Sequence, residues 1–308
     1  MNLQMAARAF NAGNLKVADQ LCQQTLAAEP SNAEAMNLMG AIAGTAGRHD
    51  LAAEWMRKSI TLQPRDPFYR RNYITALLTL DRVDEAAKVL EESLKLVPGD
   101  PHLLTLRGVV LSRQGDFDAA RKALDAAVEV DPNSSLAHFN LSEVYRRGDR
   151  DDEALEHLRK AIDLDPKNAD ALNNMAGILL DTGEFIEALR YLQRYLEVQP
   201  RSAQGYCNLS VAMSAGGDVR QAIVCLRNAI KLDPSLKDPR FKLINMLTST
   251  GDFGEARRML DEWEKEEPAD ARFCRFALVC WNARASSKKL AKCSRRSPKR
   301  IAVCCRSA

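Results

Sequence analysis

The sequence has no run of 18 or more apolar residues, which excludes a transmembrane helix. The N-terminus, Met-Asn-Leu-Gln-Met-Ala-Ala-Arg, has no basic patch followed by a long apolar core, so a secretory signal is not expected. Only 6% of the 308 residues are aromatic, and twelve are proline and fifteen glycine. With 46% hydrophobic and 28% charged residues, the composition indicates a folded body and not a disordered chain.

Motifs for catalysis and metal binding are also missing from the sequence. None of the four histidines lies in an HExxH motif or near a cysteine at zinc spacing, and neither a phosphate-binding GxxxxGK[ST] loop nor GxSxG occurs. We therefore predict no catalytic site, no cofactor and no metal. The histidines are expected to be surface or half-buried helix residues; they are His49, His102, His138 and His157.

Charge and cysteine are distributed unevenly along the chain. Residues 271–308 hold eleven of the 44 basic residues and no acidic residue, so residues 1–270 hold 33 basic and 41 acidic ones. Cys22, Cys207 and Cys225 are scattered through apolar segments of the body, whereas five cysteines crowd the last 35 residues. Scattered single cysteines suggest reduced packing residues and a cytoplasmic location.

Proline recurs at a fixed interval of 34 residues. The series is Pro30, Pro64, Pro98, Pro132, Pro166, Pro200, Pro234 and Pro268. Alanine stands twelve residues before every one of these prolines, and a mostly larger apolar residue stands eight before. Seventeen before is usually glycine, with Asp81 and Asp149 as the two replacements. Self-similarity at a fixed period predicts a solenoid of stacked repeats.

Each column of the repeat has a physical meaning. Glycine ends a first helix in the left-handed conformation, alanine lets two helices approach closely, and proline ends a second helix. Two residues after most of the prolines stands a good N-cap, such as Asn32 or Asp66. Leu236 breaks this column, and Asp238 before Pro239 is the candidate replacement. The unit is therefore helix A, turn, helix B and proline turn.

This unit resembles the tetratricopeptide repeat (TPR) family over residues 1 to about 270. Seven complete repeats begin at residues 33, 67, 101, 135, 169, 203 and 237, after a partial one over 1–32. The resemblance implies an all-α, right-handed superhelix with helices A on the concave wall. The small residue expected early in helix A is replaced by Ile74 and Ile244, so helices A and B should pack farther apart in those repeats.

Asparagine recurs at position 6 of helix A, in the part that faces the groove in TPR proteins. This pattern resembles the asparagine ladder of the O-GlcNAc transferase superhelix, in which amides pair with a peptide backbone. The alternative is that these side chains bond to neighbouring helices and stiffen the array. Arg113, Arg146 and Arg147 form a basic spot for a partner carboxylate, or a solvated helix end. The predicted peptide-binding residues are Asn37, Asn72, Arg113, Asn140, Arg147, Asn174, Asn208 and Asn245.

The repeat columns end near residue 270. Residues 271–281 are expected to form a capping helix, which gives a TPR domain over 1–283 and a basic, Cys-containing, disordered segment over 284–308. Three interpretations of that segment stay open: a basic tail for acidic partners, a shifted reading frame or truncated larger gene product, and metal or redox use of its cysteines.

Two functions are compatible with these patterns. The first is a non-catalytic cytoplasmic scaffold that binds a peptide or a partner protein segment in the groove and can form homo-oligomers. The second is the substrate-recognition region of a transferase, similar to O-GlcNAc transferase or to TPR-containing sulfotransferases, whose catalytic domain is missing. The body offers no basic stripe or aromatic platform for nucleic acid, and no membrane segment.

Overall fold

The computed structural model of the protein describes residues 2–266. These belong to two compact units, Met1–Asn168 and the described part of Ala169–Ala308. All regular structure in residues 2–266 is α-helical, and no helix in this range is long and apolar enough to cross a membrane. The predicted capping helix at 271–281 and the basic segment at 284–308 lie outside the described residues.

Five helical hairpins form the first unit. Its helices are α1 (Asn2–Asn11), α2 (Leu15–Ala28), α3 (Ala33–Thr45), α4 (His49–Leu62), α5 (Pro67–Thr79), α6 (Val83–Leu96), α7 (Pro101–Arg113), α8 (Phe117–Val130), α9 (Ser135–Arg147) and α10 (Asp151–Leu164). Three hairpins form the described part of the second unit. Its helices are α11 (Ala169–Asp181), α12 (Phe185–Val198), α13 (Ala203–Ala215), α14 (Val219–Leu232), α15 (Lys237–Ser249) and α16 (Phe253–Glu266). The predicted all-α fold of 34-residue helical hairpins is confirmed.

The sequence signals for helix ends act as predicted, with one exception. Oδ1 of Asn32 accepts from the backbone N–H of Ala35 at 2.9 Å, and such side-chain caps recur at most later helix-A starts. Leu236 precedes α15 without a side-chain cap. The prediction that Asp238 replaces it as the cap is wrong, because α15 already begins at Lys237 and Asp238 lies in its first turn.

Left-handed backbone recurs at the turn between helices A and B. Six glycines of this column have φ between +75° and +88°. Asp81 and Asp149 adopt the same conformation, with φ of 57° and 54°. The turn therefore imposes this conformation whichever residue fills the position, and glycine is favoured because it has no Cβ to clash.

Small residues set the distance between helices A and B. A Cβ added to Gly108 in α7 would lie 2.3 Å from Cγ of Leu124 in α8, so these helices approach as closely as glycine permits. Ile74 and Ile244, which occupy the equivalent position, are fully buried in their own hairpins. There α5 packs less closely along α6, and α15 along α16, than α7 does along α8, as the sequence predicts.

Stacking in the first unit places helices A side by side. Each contacts the next, from α1 to α3 and on to α9, and no pair of helices B in residues 2–168 packs to that extent. A stack whose A helices meet while its B helices spread has the A helices on its inner wall. We call the solvent-facing surface of α3, α5, α7 and α9, at positions 6, 9 and 13 of the repeats, the groove face.

Candidate functional site

Two equivalent pockets open on the groove face. The threonine pocket lies between α3 and α5 and has a volume of about 340 Å³; its lining includes Gly40, Ala41, Thr45, Asn72, Thr75 and Thr79. The arginine pocket lies between α7 and α9 and has a volume of about 190 Å³; its lining includes Gly108, Val109, Arg113, Asn140, Glu143 and Arg147. The two sets correspond residue by residue at a separation of 68, which is two repeats. The array therefore builds the same pocket twice with different chemistry.

Glycine at position 8 shapes the floor of both pockets. A Cβ on Gly40 would lie 2.7 Å from Cγ of Met56, and a Cβ on Gly108 would lie even nearer to Leu124. The missing side chain lets Met56 and Leu124, from helices α4 and α8, reach the bottom of the space between two A helices. The intervening repeat carries the fully buried Ile74 at this position.

The threonine pocket offers hydrogen-bond acceptors. The hydroxyls of Thr45, Thr75 and Thr79 donate to the carbonyl oxygens of Ala41, Arg71 and Thr75, each four residues back, at 3.0 Å. Their protons are thus committed to their own helices, and their lone pairs are left for other donors. No Asp, Glu, Lys or Arg lines this pocket, so it favours an uncharged group that carries N–H or O–H donors.

The arginine pocket carries two guanidinium groups at its rim. Nη1 of Arg113 donates to the carbonyl oxygen of Leu78 at 2.7 Å and lies 3.5 Å from Oδ1 of Asp81. The guanidinium of Arg147 lies 5.7 Å from the ring centroid of Phe117. With Glu143, the charged side chains that line the pocket carry a formal charge of +1, and the carboxylate of Asp81 lies just outside the lining, beside Arg113. Of the three arginines of the predicted basic spot, Arg113 and Arg147 line this pocket and Arg146 does not.

Two of the predicted asparagines bond to each other between repeats. Nδ2 of Asn72 donates to Oδ1 of Asn37 at 3.0 Å, and Asn37 is only 6% exposed. The same pairing occurs in the second unit, where Nδ2 of Asn208 donates to Oδ1 of Asn173 at 3.4 Å. The partners are 35 residues apart, so position 6 of one helix A faces position 5 of the preceding one. These bonds support the stiffening interpretation for both pairs.

The other asparagines behave differently. Nδ2 of Asn140 donates to the carbonyl oxygen of Leu136 in its own helix at 2.7 Å, and its side chain lines the arginine pocket. Asn174 is half-buried on α11, and Asn245 is exposed on α15. Within the described part of each unit, the predicted ladder is therefore a set of side chains with separate roles and not one uniform row of free amides.

Sequence reasoning missed several pocket residues, and one prediction about histidine is wrong. Thr45, Thr75 and Thr79 were not recognised, although Thr45 and Thr79 share position 13 with Arg113 and Arg147. His138 is buried at 4% exposure, contrary to the surface or half-buried placement, because its ring packs between α9 and α10. His157 is half-buried and His49 and His102 are exposed, as predicted.

The remaining candidate reactive groups in residues 2–266 are structural. Cys22, Cys207 and Cys225 are free and buried, as predicted for packing residues. Burial raises the pKa of the Cys22 thiol to about 11, so it is not poised as a thiolate. No three His, Cys, Asp or Glu side chains in this range cluster in a way that could hold a metal ion.

Comparison with known proteins agrees with this architecture. Three family models, each described as tetratricopeptide repeat, match residues 3–69 and 105–169, residues 152–206, and residues 203–236. No curated protein is significantly similar in sequence.

Solved structures of TPR architecture also resemble the chain. TTC0263, a thermophilic TPR protein of Thermus thermophilus, is 24% identical with a TM-score of 0.53, over 58% of this chain and 97% of that one. The APC/C hetero-tetramer Cut9–Hcn1 gives 15% identity and a TM-score of 0.64, over 86% of this chain and 52% of that one. At these identities the likeness concerns the fold alone. With the family matches and the 34-residue hairpins, it establishes that the chain belongs to the tetratricopeptide repeat family.

Proposed function

We propose that the protein is a non-catalytic scaffold that binds an extended segment of a partner protein along the groove face of its first unit. The observation that carries this proposal is the pair of equivalent pockets on one wall, each between two successive A helices. A chain lying across these helices would place side chains in both pockets, and burial of those side chains would supply most of the affinity.

Polar groups between and around the pockets favour a peptide backbone as the ligand. Asn72 uses one amide hydrogen on Asn37, so its Oδ1 and second hydrogen can pair with a peptide N–H and C=O. Asn140 donates to Leu136, and its Oδ1 is the acceptor for a peptide N–H. Each such bond contributes about 0.5–1.5 kcal/mol, so the pockets and the amides have to act together.

The test starts from a displayed library of random dodecapeptides selected on the immobilised chain. Selected peptides are then titrated by fluorescence polarisation against Thr75→Trp, which places a bulky ring on the groove face, and Lys88→Trp, which places it on helix α6. Both residues are exposed, so the two variants differ in location and not in the side chain introduced.

We expect Thr75→Trp to weaken binding at least tenfold and Lys88→Trp to leave it unchanged. Equal affinities for the two variants, or a library that yields no binder, would contradict the proposed function. The transferase-associated alternative, a cytoplasmic location and homo-oligomer formation stay predictions from the sequence.

A further inference from the structure

We infer that the two pockets read a two-part motif in the bound segment: an acidic residue in the arginine pocket and an uncharged, donor-bearing side chain about six residues away in the threonine pocket. This inference rests on the proposed function, because it specifies the ligand of the same groove face. It needs only residues of the first unit.

The spacing follows from the packing of the A helices. The threonine pocket lies between α3 and α5 and the arginine pocket between α7 and α9, two helix-to-helix steps apart. Adjacent packed helices are separated by roughly 8–10 Å, so two steps place the pockets roughly 16–20 Å apart. An extended chain advances about 3.3 Å per residue, so about five or six residues span that distance.

Charge favours a carboxylate in the arginine pocket. Arg113 commits one Nη1 hydrogen to Leu78, and a guanidinium has five N–H donors in a planar fork that matches a carboxylate. The contact with Leu78 also fixes where the Arg113 fork points, which lowers the entropy lost on binding. Glu143 in the lining and the exposed Asp81, 3.5 Å from Arg113, both oppose an acidic ligand, so removal of Glu143 is as informative as removal of an arginine.

The threonine pocket, which no Asp, Glu, Lys or Arg lines, favours an uncharged residue of the ligand and not an acidic one. Its lining offers the hydroxyl lone pairs and the amide of Asn72 but no lysine or arginine, so a buried carboxylate would find no cationic Lys or Arg partner there. The small residues Gly40, Ala41 and Gly44 leave room for the body of the side chain. Serine, threonine, tyrosine, asparagine and glutamine combine such a body with a neutral donor.

The experiment uses the full chain and a dodecapeptide library with one fixed glutamate and random residues elsewhere, followed by sequencing of the binders. The original chain should enrich neutral donor side chains five to seven positions from the glutamate, on one side of it. Ala41→Leu, which fills the threonine pocket, should abolish that enrichment, while peptides that bind this variant should still bind more weakly when their glutamate is replaced by glutamine.

Two further variants test the charge. Arg147→Gln should weaken binding of a selected acidic peptide about tenfold and leave binding of that peptide's Glu→Gln analogue nearly unchanged. Glu143→Gln should strengthen binding of the acidic peptide several-fold. Peptides that bind the groove face equally well with glutamate or glutamine would overturn this inference and leave the proposed function intact. So would peptides with no preferred spacing between the glutamate and a neutral donor residue. Binders insensitive to Thr75→Trp would instead remove the proposed function itself.

Discussion

The imidazoles of His138 and His157 face each other across the hairpin of α9 and α10, with their Nδ1 atoms 3.0 Å apart. Nε2 of His138 lies 3.2 Å from the carbonyl oxygen of Pro132, which only accepts, so this nitrogen carries the proton. Nδ1 of neutral His138 is then the acceptor, and His157 donates from its own Nδ1. The ring of Tyr145 also stacks on that of His157, with the two ring centroids 5.3 Å apart.

This pair makes the hairpin sensitive to acid. Burial, the neighbouring His138 and Lys160 lower the pKa of His157 to about 4, against the opposing effect of Glu156. The unfolded chain, with a pKa near the usual 6.5, binds a proton that the folded chain resists between these values. The contribution of His157 to the free energy of unfolding is therefore complete above pH 6.5, and it is lost as the pH falls towards 4.

Urea unfolding of the original chain and of His157→Phe, measured from pH 7.5 to 4, tests this prediction. Phenylalanine keeps an aromatic ring against Tyr145 and removes the titration of His157, while the buried His138, whose pKa burial also lowers, remains, so the variant should lose less stability on acidification but still lose some. His102→Gln, at an exposed site, serves as the control and should follow the original chain. Identical pH profiles for the chain and His157→Phe would rule out the proposed linkage.

Close helix packing predicts opposite effects for two glycines. Gly108→Ala should lower the free energy of unfolding by about 1–3 kcal/mol, because its Cβ would overlap Leu124. At Gly44 the nearest atom to an added Cβ is Cβ of Ala52 at 3.7 Å, an ordinary contact. Gly44→Ala should therefore be neutral or stabilise by up to about 1 kcal/mol. Chemical denaturation measures both, and a stabilised Gly108→Ala would refute this packing.

The asparagines should separate into structural and ligand-binding groups. Asn72→Ala leaves the buried Oδ1 of Asn37 without a donor and should cost about 1–3 kcal/mol of stability. Asn140→Ala removes only a bond within one exposed helix turn, so it should cost little stability and weaken binding of groove-selected peptides. A double-mutant cycle for Asn37 and Asn72 should give a coupling of about 1 kcal/mol. Zero coupling would exclude a structural role for this pair.

Glycine in place of Asp149 should stabilise the turn between α9 and α10. Asp149→Gly relieves a left-handed residue with φ of 54° and should raise the free energy of unfolding by about 1 kcal/mol. Asp152→Gly, three residues later in the first turn of α10, should lower it by about the same amount, since glycine disfavours helix. The midpoints of thermal and urea unfolding show whether each variant gains or loses stability. A loss of stability in Asp149→Gly would count against this interpretation of the turn.

The sequence predicts the hairpins because their signals are local. Proline ends helix B at a fixed place, and the column of Gly183 and Gly217 predicts the left-handed turn even where Asp81 replaces glycine. Each signal acts within a few residues, so spacing alone is sufficient to find it.

The pockets and the histidine pair were not predicted, because they depend on which residues of different helices meet. Arg113 meets Leu78 and Asn72 meets Asn37 at an offset of 35, one residue more than the repeat length. His138 and His157 are 19 residues apart and match no ligand spacing, so only the packed hairpin brings them together. The repeat period predicts the hairpin of each repeat but not which residues of successive repeats lie against each other.

The most direct test of a ligand-binding groove face is site-specific photocrosslinking. A benzoylphenylalanine at Thr75 or, as the matched control, at Lys88 is irradiated in the presence of a peptide selected on the unmodified chain. The groove account predicts that the Thr75 probe forms a crosslink competed by unlabelled peptide and that the Lys88 probe forms none. Crosslinking from Lys88 alone would place the ligand on the helix-B side and contradict the account.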